Sequence, residues 1–87
     1  MSIIDEKETA PTWQERFIQE YAYVKRKYEK LHRMIVKYEA DALDFKPNCS
    51  LELLKRQAAA MGTYLYILEI RSEIEGIVLP EDGYERS

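Results

Sequence analysis

Apolar side chains recur along the first half of the chain at Phe17, Tyr21, Val24, Tyr28, Leu31, Ile35, Tyr38 and Ala42, at intervals that alternate four and three. A period near 3.5 held over more than three repeats predicts one long helix with a single seam, packed against another helix in the manner of a left-handed coiled coil. Tyrosine fills three of these eight positions, and its hydroxyl needs a partner or water, so the seam is not expected to be dry throughout. Thr12 and Glu15 have the spacing of a capping box, which places the helix start. Pro47 lacks an amide and disfavours helical geometry at Lys46, which makes the surrounding segment the break. Ser50 is then a suitable N-cap for a second helix, with Glu52 in its first turn and Gly76 free to take the left-handed conformation that ends it.

The predicted fold is all-α: an antiparallel hairpin of two long helices spanning 12–76, with a helix over 12–43, a connection over 44–50 and a helix over 51–76. Residues 1–11 read as a loose polar arm and 77–87 as a tail. Ile77, Val78 and Leu79 are too apolar for an idle tail and are expected to dock on a neighbour or back on the hairpin.

The second helix carries two apolar stripes. One runs Leu51, Leu54, Ala58, Met61, Leu65, Leu68; the other runs Leu53, Gln57, Ala60, Tyr64, Ile67, Arg71, Ile74. A two-helix hairpin uses one stripe per helix, so the second must meet something else, and another copy of the chain is the simplest partner. The expectation is a homo-oligomeric helical bundle. Gly62 inside a helix costs roughly 1 kcal/mol relative to Ala, so its presence beside the small residues Ala58, Ala59 and Ala60 points to close backbone approach.

Composition sharpens this. A chain of 87 residues has room for one domain and buries a modest share of its surface, so a lone hairpin needs further burial. One cysteine and one histidine exclude an internal disulfide and are too few soft ligands for a structural zinc site. The first ten residues lack the basic start and apolar run of a signal peptide, and no apolar stretch reaches membrane length, so a cytoplasmic protein is expected. A net charge of −3 argues against general DNA binding. The charge is nevertheless polarised: 25–37 holds six Lys and Arg against Glu29, whereas 69–86 holds six Asp and Glu against Arg71 and Arg86.

No phosphate loop, nucleophile elbow or paired-cysteine motif is present, so no catalytic residue, metal ligand or cofactor is assigned and an enzyme is not expected. His32 reads as a solvated side chain and Cys49 as a loop-packing residue. Two sets of residues carry possible binding chemistry. Arg26, Lys30, Arg33 and Lys37 fall on one stripe away from the seam, extended by Tyr23; they form either a solvated helix face or a site where cations hold phosphate and an aromatic ring stacks on a base. Gln57, Met61, Gly62, Tyr64 and Arg71 form the second set, an oligomer interface or a pocket between chains. Polar groups in such a stripe need partners, and Arg71 is expected either to fix register by pairing with a carboxylate such as Glu15 or Glu20 of another helix, or to line the pocket.

The segment from Leu53 to Arg71, LLKRQAAAMGTYLYILEIR, resembles an LLxxQxxAMxxYxxILxxR pattern of small helical-hairpin proteins of tailed phages and prophages, a family related to crAss-like phages. The likeness extends over Arg16 to Phe45 and singles out Leu54, Gln57, Met61, Tyr64, Leu68 and Arg71. Ser72 departs from the apolar residue usual after the arginine, leaving Ile74 to make the last contact. The resemblance implies a phage protein of the host cytoplasm, and small non-enzymatic hairpins of phages often antagonise bacterial immunity. Sequestration of a cyclic nucleotide signal at interfaces between chains is the role expected; a protein that covers a host defence protein, or a virion or assembly factor, is the alternative.

Overall fold

The computed structural model describes residues 10–80 and contains two helices, α1 over Trp13–Glu39 and α2 over Leu51–Glu75. They pack against each other as an all-α hairpin, with no strand among the described residues. The cross-helix partners run in opposite order, Glu20 with Tyr64 and Glu39 with Lys55, so the helices are antiparallel. The expectations for residues 1–9 and 81–87 lie outside the described residues.

Each helix begins where its cap chemistry places it. The Thr12 hydroxyl accepts the Glu15 amide at 3.1 Å while the Glu15 carboxylate accepts the Thr12 amide at 3.0 Å, and the Ser50 hydroxyl accepts the Leu53 amide at 3.1 Å. Caps of this kind contribute roughly 1 kcal/mol each. α1 ends at Glu39, short of residue 43, because Asp41 turns into the left-handed region with φ 60°. The amides of Ala40, Asp41 and Ala42 then close on the carbonyls of Val36, Tyr38 and Lys37, and Ala42 leaves the seam. At the far end of α2, Gly76 takes φ 72° and its amide bonds the Ser72 carbonyl, as does that of Ile77.

The core sits between the N-terminal half of α1 and the C-terminal half of α2. Phe17, Tyr21, Leu65 and Leu68 are buried together, with Val24, Tyr28, Ile77 and Leu79 packed around them. Leu68 is 2% exposed, and burial of such a side chain contributes about 2 kcal/mol. Ile77 and Leu79 therefore dock back on the hairpin, one of the two expected outcomes, whereas Val78, expected to dock with them, stays 86% exposed. They also replace Ile74, which does not make the last contact: it is 75% exposed. Ser72 is tolerated at its buried position because its hydroxyl donates to the Glu69 carbonyl at 2.7 Å. No described helix is long and apolar enough to cross a membrane.

Candidate binding faces

The two stripes of α2 separate as the spacing predicts. Leu54, Leu65 and Leu68 are buried and Leu51, Ala58 and Met61 half-buried against α1, whereas Leu53, Gln57, Ala60, Tyr64, Ile67, Arg71 and Ile74 are all exposed. Tyr66 and Ile70 add to the uncovered apolar surface. A helix with apolar side chains on more than one face is stable only when covered on several sides, and among the described residues α2 is covered on one.

Where the predicted site residues fall divides them into three groups. Tyr23, Arg26, Lys30, Arg33 and Lys37 are all exposed and occupy the outer side of α1, turned from α2. The Tyr23 ring is already met by the Lys27 ammonium at 5.1 Å from its centroid, a pairing that the four-residue spacing permits. Met61 and Gly62 are half-buried on the α1 side. A Cβ on Gly62 would lie 3.5 Å from Cε1 of Tyr28, an ordinary contact, so the hairpin itself does not require glycine there. Gln57, Tyr64 and Arg71 remain together on the exposed flank of α2.

That flank has defined electrostatics. Tyr64 donates its hydroxyl to Glu20 at 2.9 Å, and this hydrogen bond raises the phenol above its ordinary pKa, with lesser help from desolvation and the Glu20 charge. The Glu15 carboxylate is engaged in the cap of α1. Both carboxylates expected to neutralise Arg71 thus have other donors. The Arg71 guanidinium lies instead over the Phe17 ring, 5.0 Å from its centroid. Among the described residues no carboxylate stands in ion-pair range of it. A guanidinium held by an aromatic face keeps its N–H fork open for an anion. Among the described residues Gln57 reaches only the sulfur of Met61 at 3.9 Å, a weak contact.

Residues 11–74 match the family model described as Sequestin, a stretch that takes in the whole of α1 and nearly all of α2. The chain belongs to the Sequestin family. The name denotes holding rather than turning over, and the match spans both candidate faces. No curated protein and no solved structure matches the chain.

Phe17 and Lys27 were not anticipated as members of a site. Phe17 reads as a seam residue, and the cation on its face depends on helix register. Lys27 was legible from its spacing to Tyr23. Among the residues set aside earlier, His32 is exposed and stacks on Tyr28 with centroids 6.2 Å apart. Cys49 is exposed, so its expected role in loop packing does not hold. A recess of about 480 Å³ at the connection, lined by Tyr38, Asp41, Phe45 and Pro47 among others, contains none of the predicted residues.

Proposed function

We propose that this Sequestin-family protein holds a cyclic nucleotide signal of bacterial immunity without transforming it, at grooves between chains, in the cytoplasm of a phage-infected host. One observation carries the reading: an exposed guanidinium, seated on Phe17 with no carboxylate partner among the described residues, stands on the same helix face as Tyr64 and Gln57. Phosphate takes the Arg71 fork, a base stacks on the tyrosine ring, and the Gln57 amide reads a base or ribose edge. The outer side of α1, with Arg26, Lys30, Arg33 and Lys37, raises the local concentration of an anion before it docks. The groove is open in one chain, and a second chain walls it, which gives the concavity a small-molecule site needs. Holding requires no nucleophile and no general base.

The test is calorimetry of the purified protein against a panel of cyclic di- and trinucleotides, followed by release of the bound nucleotide by heat. Micromolar or tighter binding with the nucleotide recovered intact supports the proposal. Arg71→Ala then weakens binding at least tenfold, a change of about 1.4 kcal/mol. If no member of the panel binds at micromolar concentration, the proposal fails.

A further inference from the structure

The turn that reverses the chain leaves a recess that the function proposed above does not use. α1 stops at Glu39, Asp41 enters the left-handed region, and the chain passes Pro47 before Ser50 opens α2. The recess in this connection measures about 480 Å³, within the range of roughly 300–1,000 Å³ that holds small molecules. Arg71 stands about 30 Å further along α2 than Leu51, at a rise of about 1.5 Å per residue, so the two places are separate.

The lining says what class of molecule fits. Its apolar part comes from the rings of Tyr38 and Phe45 with Leu43 and Pro47. Phe45 is 56% exposed, so the hairpin core does not claim its ring. Aromatic rings attract cations through their quadrupole. Asp41 and Asp44 line the same space, and both follow the C-terminal end of α1, where the helix dipole already favours a cation. Neither carboxylate is in an ion pair among the described residues. Lys46 is the one basic residue in the lining, and the carboxylates outnumber it. An anion would meet those carboxylates, and a bare metal ion would leave the rings unused. A cation with an apolar body satisfies both parts of the lining.

We propose that the recess at the connection binds a small organic cation, with its ammonium or guanidinium head at Asp41 and Asp44 and its body against Tyr38 and Phe45. A single chain supplies the whole lining, so the site requires neither a second copy nor the nucleotide.

NMR titration of the full-length protein tests it, with benzylammonium as probe and benzyl alcohol and benzoate as neutral and anionic molecules carrying the same ring. Benzylammonium is expected to give saturable shifts of the backbone amides of residues 38–46, benzyl alcohol to bind about tenfold more weakly, and benzoate not to bind. Asp41→Asn retains a residue that tolerates the left-handed conformation, and Asp44→Asn retains the size of the side chain. Each is expected to weaken benzylammonium about twofold to fivefold. Phe45→Leu keeps an apolar group without the ring and is expected to lose a similar factor; should that variant not fold, the three probes on the wild-type protein decide alone. Lys46→Ala is expected to tighten binding by removing a like charge. Equal binding of benzyl alcohol and benzylammonium, saturable binding of benzoate, weaker binding after Lys46→Ala, or no shifts at 38–46 at millimolar probe overturns the proposal. Arg71→Ala is expected to leave benzylammonium binding unchanged, so failure of the nucleotide panel leaves this site standing and failure of this site leaves the nucleotide reading standing. Loss of benzylammonium binding in Arg71→Ala would place the probe elsewhere and overturn the assignment.

Discussion

Two tyrosine–glutamate hydrogen bonds cross the hairpin, and they do different work. Tyr21 of α1 donates to Glu69 of α2 at 2.7 Å, and Tyr64 of α2 donates to Glu20 of α1 at 2.9 Å. Glu20 and Tyr21 are neighbours in sequence, so they leave α1 about 100° apart and mark opposite flanks of the seam. Tyr21 is 5% exposed, inside the Phe17, Leu65 and Leu68 cluster, whereas Tyr64 is 40% exposed, on the flank with Arg71 and Gln57. The same donor and acceptor thus brace the core on one side and rest at the edge of an open face on the other. An interaction that water can replace costs little to give up, which is what a surface that must exchange one partner for another requires.

Breaking the closed flank gives the largest effects. Leu68→Ala, at the centre of the core, is expected to cost about 3 kcal/mol in chemical denaturation, enough to unfold much of a small hairpin. Tyr21→Phe is expected to cost about 1 kcal/mol by the same measurement, since it removes a half-buried hydrogen bond while keeping the ring. That cost also depends on pH. Burial first, then the bond to Glu69 and the charges of Glu69 and Glu29, raises the Tyr21 phenol above its ordinary value. The folded state therefore favours the protonated form, so the contribution is complete below the unfolded pKa of about 10 and fades as pH rises through the folded one. Circular dichroism at increasing alkalinity is expected to show the stability gap between wild type and Tyr21→Phe narrowing. A gap independent of pH would remove the special status of this flank.

Gly62→Ala sharpens the comparison in the opposite direction. With an ordinary contact to Tyr28 available to the new methyl, helix propensity predicts a gain of about 0.5–1 kcal/mol in thermal or chemical unfolding. A loss there would mean that something outside the hairpin approaches the Gly62 backbone closely. The smallest effect belongs to the open flank: Tyr64→Phe should change stability by less than about 0.5 kcal/mol. An effect as large as that of Tyr21→Phe would make the two bonds equivalent and end the comparison.

Much of the architecture is legible in the residues because the signals are local. Thr12 with Glu15, Ser50, Gly76 and the alternating intervals of both helices each depend on neighbours in sequence, and each appears where its chemistry places it. The exposed stripe from Leu53 to Ile74 is legible for the same reason. What the sequence withholds is register across the hairpin. Arg71 could face Glu20 or Phe17 according to a shift of one turn, and nothing within α2 decides which. The left-handed turn at Asp41 is also hidden, since aspartate adopts it only when the chain must reverse.

The reversal at Gly76 has a practical outcome. By folding Ile77 and Leu79 onto the core, it brings Pro80 beside Tyr21 and Glu69, on the side away from Arg71. A fluorophore attached through a Pro80→Cys substitution stands on the closed side. Protein labelled in this way should report on what the other side captures without obstructing it.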